Sequence, residues 1–369
     1  MFLPPQTIII VVRGKIFMSV VAIIGCGRIA NYAHLPALNK LDNVRIKYAC
    51  DIIIEKAEKA KKDYPKIEKV ILDYHDALDD KEVDTFFVLV PNFEHKRITI
   101  DALNAGKNVL CEKPIALNYK DALEMQKTAQ KAHKILNIGV NNRYNTAVNT
   151  VRKYCQDGTL GNIYHVESHF FTTRSIPGLG GPFTTKKMSG GGVLIDWGVH
   201  ILDLIQYLVG HKKLKSVSAS TSSELGKDMK KYKYGNMWAE DTADIENGTN
   251  DVEEFVSCFA RYDGYTLSLT GGWATNIPAD EFYIDIYGSK AGIRLYYVHQ
   301  KFKIFSGETL EVTESNIPNE NHYDIEDKMF IESVEKGIPN RGHIDEVIDI
   351  EKLIDLIYQS AEEEKEIRL

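Results

Sequence analysis

The sequence predicts an α/β domain with a doubly wound parallel sheet, followed by an α+β domain with a large, mostly antiparallel open sheet. Three observations carry this expectation. From about residue 19 to residue 140, short apolar runs alternate with amphipathic helical patterns, as in parallel strands joined by helices. After Asn141 the texture changes to longer β-rich stretches separated by turns. The chain has 369 residues, 44% of them hydrophobic, enough for two cores at about 100–200 residues per domain. The division expected is an N-terminal extension (1–17), a first domain (18–140) and a second domain (141–369).

Residues 20–24 (VVAII) are all apolar, which suits a strand buried on both faces. A helix is expected over 28–40, a second strand over 46–50, a Lys- and Glu-faced helix over 53–62 and a short third strand over 70–72. Residues 84–90 (DTFFVLV) make the fourth strand, and 94–105 a helix that Gly106 ends as a C-cap. Strand 108–111, helix 119–133 and strand 135–140 complete the alternation. A helix over 147–156 then precedes strands at 163–173, 214–221, 252–261, 265–273, 282–287 and 292–297. Asp263-Gly264 and Gly288-Ser289 supply turn signals between them. Further helices are expected over 196–208, 324–336 and 346–363. Residues 226–250 are polar and read as a long surface loop.

Composition excludes several classes. The formal net charge is -7, and nothing resembles the basic footprint of a nucleic-acid binder. The Lys clusters at 59–62 and 230–233 have acidic residues close by and read as solvated faces. Five cysteines, an odd number with no C-x-x-C, point to structural thiols in a reducing, cytoplasmic setting. Residues 7–12 are apolar but are followed by Arg13 and Lys15, the reverse of the order in a signal peptide. Residues 1–17 therefore read as an extension upstream of Met18. No other run reaches the roughly 18 apolar residues that span a membrane, so no membrane partner is expected.

The chemistry sits at strand ends. Gly25-Cys26-Gly27-Arg28-Ile29-Ala30 follows the first strand and opens a helix, in the G-x-G-x-x-A form. The first Gly makes the turn, the second admits a pyrophosphate, and the helix N-terminus attracts its charge. Gly25, Gly27, Arg28 and Ile29 are the cofactor-binding candidates from this loop. Asp51 ends the second strand, where a carboxylate accepts from both ribose hydroxyls of NAD and repels the 2′-phosphate of NADP. Ile52 to Ile54 follow with no Arg or Lys, so NAD is expected over NADP. The alternative for Asp51 is a cap on the helix beginning near Ile53.

Two further strand ends add candidates. Cys111-Glu112-Lys113-Pro114 ends the fifth strand and places Lys113 near the nicotinamide, where an ammonium polarises a substrate oxygen or tunes a proton acceptor. Glu112 and Lys113 are taken as cofactor neighbours. Pro91, Asn92 and His95 occupy the equivalent place after the fourth strand, although His95 also reads as an ordinary first-turn residue. In the second domain Asp196 and His200 are four apart after a glycine cluster at 190–192, so on a helix they share a face. A carboxylate beside an imidazole suits proton transfer at neutral pH. The alternatives are a helix cap beside a core His, or a metal pair. No third ligand has convincing spacing, so no metal is expected.

Together these segments resemble the Gfo/Idh/MocA family, the glucose–fructose oxidoreductase and inositol dehydrogenase group, over nearly the whole chain from Met18. The resemblance includes P-N-x-x-H at 91–95, E-K-P at 112–114, N-x-R-Y at 141–144, G-G-G-x-x-x-D-x-G-x-H at 190–200 and V-E-E-F at 252–255. It implies a Rossmann domain followed by an open sheet that drives dimer or tetramer formation. It also implies hydride transfer between nicotinamide and a secondary alcohol of a sugar, inositol or related polyol. Lys113 is implied to contact the reacting hydroxyl, His200 to accept its proton, and Asp196 to position the substrate. Asn141 and Arg143 are implied to shape the floor of the site. Residues 174–187 resemble a substrate loop, in which Arg174 or Lys186 meets hydroxyls; a Gly-rich surface loop is the alternative. Two other activities share the fold: redox-neutral glycoside hydrolysis with tightly held NAD, and non-catalytic NAD-dependent regulation. Intact Lys113, Asp196 and His200 argue against the second.

Overall fold

The structure is a computed structural model that describes residues 18–369 except 236 and 279. The extension expected at 1–17 lies outside the described residues. The first half is built from β1 (Ser19–Ile24), α1 (Leu35–Asn39), β2 (Val44–Cys50), α2 (Ile54–Asp63), β3 (Lys69–Ile71), α3 (His75–Leu78), β4 (Thr85–Val88), α4 (Asn92–Asn104), β5 (Asn108–Glu112), α5 (Tyr119–Ala132) and β6 (Leu136–Gly139). Its six strands run in the order β3-β2-β1-β4-β5-β6, every pair parallel. β1 is buried along its whole length, which is why its sequence is uniformly apolar. The order reverses between β1 and β4, and a crevice opens beyond the carboxyl ends of the strands at such a point.

The helix expected over 28–40 is less regular than its sequence suggests. Residues 30–34 form a π turn before α1, and Asn31 Nδ2 donates to the carbonyls of both Cys26 and Gly27 at 2.8 Å. Gly106 ends α4 with φ +76°, as expected of a residue just past a helix.

The second half comprises α6 (Thr146–Gln156), β7 (Ile163–Phe171), α7 (Lys186–Ser189), α8 (Val199–Val209), β8 (Leu214–Ser222), β9 (Phe255–Tyr262), β10 (Thr266–Gly272), β11 (Glu281–Gly288), β12 (Ala291–Tyr296), β13 (Lys301–Ser306) and β14 (Val312–Glu314). It closes with α9 (His322–Lys336), α10 (Ile344–Val347), α11 (Asp349–Glu363) and β15 (Ile367–Arg368). The nine-stranded sheet has the order β14-β13-β12-β11-β7-β10-β9-β8-β15, and only β7 and β10 pair in parallel. Side chains alternate, with Val166, Phe170, Leu267 and Leu269 turned into a core shared with α6, α8 and α11. β14 and β15 escaped the sequence reading because they are edge strands of three and two residues, and β13 (KFKIFS) because its apolar residues are interrupted by lysines.

Packing does not respect chain order. Phe330 and Ile331 of α9 complete the core around β1, with Phe87 edge-on to Phe330 at 5.5 Å. Ile344 and Val347 of α10 join the core on the other face of the parallel sheet. Residues 226–250 are not a free surface loop. They hydrogen-bond along the 174–187 segment through Gly235 N to Arg174 O, Asp244 N to Leu179 O and Thr249 N to Gly180 O. The stretch 186–209 is long and apolar enough to cross a membrane by composition, a run the sequence reading passed over. Most of it is packed inside the protein.

Candidate active site

The glycine loop after β1 is shaped by backbone crowding. Gly25 has φ +96°, and a Cβ there would collide with the Leu89 carbonyl. Its N–H donates to Cys50 O at 2.8 Å, tying the loop to β2. Asp51 is held at the end of β2 by two backbone donors, Cys26 N to Oδ2 and Ile53 N to Oδ1, both at 2.9 Å. Asp51 thus closes a turn with Ile53, the residue before α2, and each carboxylate oxygen keeps a lone pair for a further donor. A Cβ on Gly27 would meet nothing within 4 Å, so the space beyond the loop is open. A tight turn, an open approach and a fixed carboxylate fit a dinucleotide with two ribose hydroxyls. Arg28 is exposed; its guanidinium donates to the Trp238 carbonyl and lies 5.7 Å from that indole ring. Ile29 is partly buried against the β1 core.

The other candidates after β4 and β5 divide. Asn92 Nδ2 donates to Ser189 O at 2.8 Å, bridging the two halves beside the exposed Pro91. His95 does not reach a cofactor: it is 1% exposed, with Nδ1 2.7 Å from Pro114 O and Nε2 2.9 Å from Val90 O. Its ring braces the two strand ends from behind. Glu112 likewise turns its carboxylate inward, to His34 and to the backbone of Lys113. Neither side chain is placed as the sequence reading expected.

Lys113, Asp196 and His200 are brought together. Lys113 Nζ donates to the Asp196 carbonyl at 2.9 Å and to its Oδ1 at 3.0 Å. Asp196 lies in a π turn at 194–198 that runs into α8, where His200 sits in the first turn. Trp273, after β10, points its indole N–H at Asp196 Oδ2 across 3.3 Å. Asn142 Nδ2 lies 3.5 Å from His200 Nδ1. Burial first, then the charge of Lys113 and that of His322, hold the His200 pKa well below its usual value. The imidazole is therefore neutral at pH 7 and able to take a proton.

The glycine cluster before Asp196 has a packing reason. A Cβ on Gly192 would collide with the Glu253 carbonyl, and one on Gly191 with the Tyr358 hydroxyl. Glu253 in turn accepts from Gly192 N at 2.9 Å, Leu194 N at 3.0 Å and Tyr358 Oη at 2.8 Å, fixing the start of the helix that carries Asp196 and His200. The expected strand at 252–261 accordingly starts only at Phe255.

The substrate candidates fare unequally. Asn141 is buried, and its Oδ1 has no protein partner among the described residues. Arg143 is wholly buried and cannot meet a substrate. Its guanidinium pairs with Asp203 at 2.7 Å and donates to the carbonyls of Arg341 and Glu346. Arg174 is spent on the Thr275 carbonyl and Asn276 Oδ1, stapling its own loop. Lys186 is exposed on a single-turn helix. Sequence reasoning missed Trp273, Asn142 and His322. Asn142 lies within a segment it singled out, whereas Trp273 and His322 come from distant stretches with no motif of their own. His322 Nδ1 is a further buried atom without a partner among the described residues.

Residues 20–140 match the oxidoreductase family with an NAD-binding Rossmann fold, and residues 148–294 match the Gfo/Idh/MocA C-terminal domain. The chain belongs to the Gfo/Idh/MocA family. This family member is 29% identical to the D-glucoside 3-dehydrogenase of Escherichia coli K12 over 93% of this chain and 95% of that one. It is 33% identical to the glucose-6-phosphate 3-dehydrogenase of Bacillus subtilis, over 52% of this chain and 54% of that one. The solved levoglucosan dehydrogenase in complex with NADH and levoglucosan has the same fold, with TM-score 0.81 and 19% identity over 95% of this chain and 99% of that one. The Gfo/Idh/MocA protein described here is an NAD-dependent oxidoreductase.

Proposed function

We propose that the protein oxidises, or in reverse forms, the secondary alcohol at position 3 of a glucoside. The observation that carries the reading is the meeting of Lys113, Asp196 and His200 beyond the end of β5, on the side of the sheet where the glycine loop lies. Position 3 is supported by the relative aligned over nearly its whole length, a D-glucoside 3-dehydrogenase, and by the glucose-6-phosphate 3-dehydrogenase.

When bound, NAD supplies the hydride acceptor. Gly25 and Gly27 shape the loop that receives its phosphates, and Asp51 accepts from its ribose. Lys113 presents its ammonium to the reacting oxygen and stabilises the negative charge that develops there. His200 takes the hydroxyl proton. Asp196 fixes the Lys113 ammonium, and Trp273 fixes Asp196. Asn141 Oδ1 and His322 Nδ1, buried and unpartnered among the described residues, are atoms that substrate hydroxyls satisfy.

The assembly is proposed to be a homodimer or homotetramer formed through the sheet face opposite α6, α8 and α11. That face carries Phe171 stacked on Phe255 at 6.0 Å and Arg294 over the Tyr283 ring at 4.2 Å, an aromatic surface suited to self-association.

The test is NAD reduction, followed as NADH absorbance, on alkyl glucosides, glucose, glucose 6-phosphate and inositols, with NADP in parallel. The expected result is NADH formation with a glucoside and a 3-keto product by NMR. NADH formed only with an inositol would refute the glucoside assignment. NADH binding with no turnover of any of these compounds would refute the dehydrogenase reading.

A further inference from the structure

Beneath Lys113 lies a chain of ionisable side chains that the chemistry above does not use. Glu112 Oε2 accepts the backbone N–H of Lys113 at 3.0 Å, and Oε1 lies 3.1 Å from His34 Nε2. On the other side of the ring, His34 Nδ1 faces both oxygens of Asp327, at 2.9 and 3.2 Å. His34 and Asp327 are completely inaccessible, and Glu112 nearly so. The three come from separate elements: the π turn after the glycine loop, the end of β5, and α9.

An imidazole with a carboxylate on each nitrogen needs a proton on both. Burial alone would lower the His34 pKa; the charge and hydrogen bond of Asp327, followed by Glu112, outweigh it and raise the pKa well above the usual value. Glu326, beside Asp327, is fully buried with neither oxygen partnered among the described residues. Burial and then the charge of Glu112 raise its pKa well above normal, in the direction that favours the uncharged acid. Room for the Glu112 carboxylate comes from Gly139 on the neighbouring strand, where a Cβ would lie 2.7 Å from Oε1.

A buried ionic chain is a poor source of stability, because desolvating its charges offsets their attraction; what it does well is specify one geometry. The geometry specified here is that of the peptide carrying Lys113. We propose that Asp327, His34 and Glu112 are positioning residues that aim the Lys113 ammonium at Asp196. The chain pins the 112–113 peptide from behind, while Asp196 receives the side chain in front. This rests on Lys113 being the residue that meets the reacting oxygen.

The decisive variant is His34→Gln, which touches neither Lys113 nor the glycine loop's open side but removes the cation between two carboxylates. Two readouts are taken: glucoside oxidation with and without deuterium at C3, and competitive acetylation of Lys113 read by mass spectrometry. The expected result is kcat lower by about 10- to 100-fold, the loss that a misplacement near 1 Å brings. The KM for glucoside and the affinity for NADH stay within about threefold, the deuterium effect on kcat grows, and Lys113 acetylates faster. A loss of folded protein alone would lower kcat without changing either the isotope effect or the acetylation of the folded fraction. Unchanged acetylation and isotope effect would therefore overturn the proposal. Gly139→Ala presses on Glu112 with every charge retained, and is expected to shift the same two readouts should His34→Gln not fold. If no glucoside is turned over by the native protein, Lys113 acetylation still decides, because it needs no substrate.

Discussion

Lys113 reaches across from the end of β5 and donates to Asp196 twice, to its carbonyl at 2.9 Å and to its carboxylate at 3.0 Å. The two residues lie on opposite halves of the protein, so this pair locks the parallel sheet to the helix that carries His200. The charge of the same ammonium also helps to lower the His200 pKa.

Replacing Lys113 with Ala is expected to lower kcat by about a thousandfold, within the range for losing a polarising group beside a proton transfer. NADH affinity, measured by fluorescence titration, is expected to stay within about twofold. The Lys113 charge is also one of the causes that depress the His200 pKa, after burial. The His200 titration followed by NMR is thus expected to move upward in Lys113→Ala. In the native enzyme the acid limb of kcat/KM for alcohol oxidation is expected below the usual histidine range, because the neutral base is the active form.

Asp51→Ala is expected to weaken NAD binding by about tenfold or more, the worth of hydrogen bonds to a charged acceptor. NADP is expected to bind no worse, since the carboxylate that repels its 2′-phosphate is gone. Calorimetric titration of both cofactors checks this; equal losses for the two would remove Asp51 from ribose recognition.

Gly192→Ala places a methyl group against the Glu253 carbonyl, backbone against backbone. Neither partner can rotate away, so the variant is expected to lose about 3 kcal/mol or more by denaturant unfolding. The start of the Asp196 helix must shift to relieve the clash, and turnover of the remaining folded protein is expected to fall as well.

Glu351 lies behind the Lys113–Pro114 turn, with Oε1 accepting from Ile115 N at 2.8 Å and Oε2 unpartnered among the described residues. Burial pushes its pKa up to about 8 from 4.5. A pKa raised on folding gives stability that is whole below about 4.5 and is lost progressively as pH rises to about 8. Glu351→Gln keeps the acceptor and cannot ionise. It is expected to unfold at a higher temperature than the native protein above pH 8, with the advantage shrinking toward pH 5. A constant difference across that range would contradict the shift.

Much of the first half was legible because its signals are local. Apolar runs such as 20–24 must be buried on both faces, and the glycines at 25 and 27 follow at once from the turn the chain makes there. The motif segments hold Lys113, which meets Asp196, and His200, which sits in the first turn of the helix that follows Asp196. His95, Glu112, Arg143 and Arg174 were misplaced for a common reason. Each is a polar residue inside or beside a motif, and nothing local shows whether such a side chain points to a ligand or back into the protein.

The sequence by itself determined the alternation of strands and helices in the first half, the glycine loop, the carboxylate at the end of the second strand and the candidates Lys113, Asp196 and His200. These depend on neighbours a few residues apart, where backbone geometry dictates the outcome. Only the tertiary structure decided which groups meet across sixty residues or more: His34 with Asp327, the Ile115 backbone with Glu351, and loop 226–250 on segment 174–187. The physical reason is that a buried polar group must find a partner wherever the fold brings one, and that partner has no fixed distance along the chain.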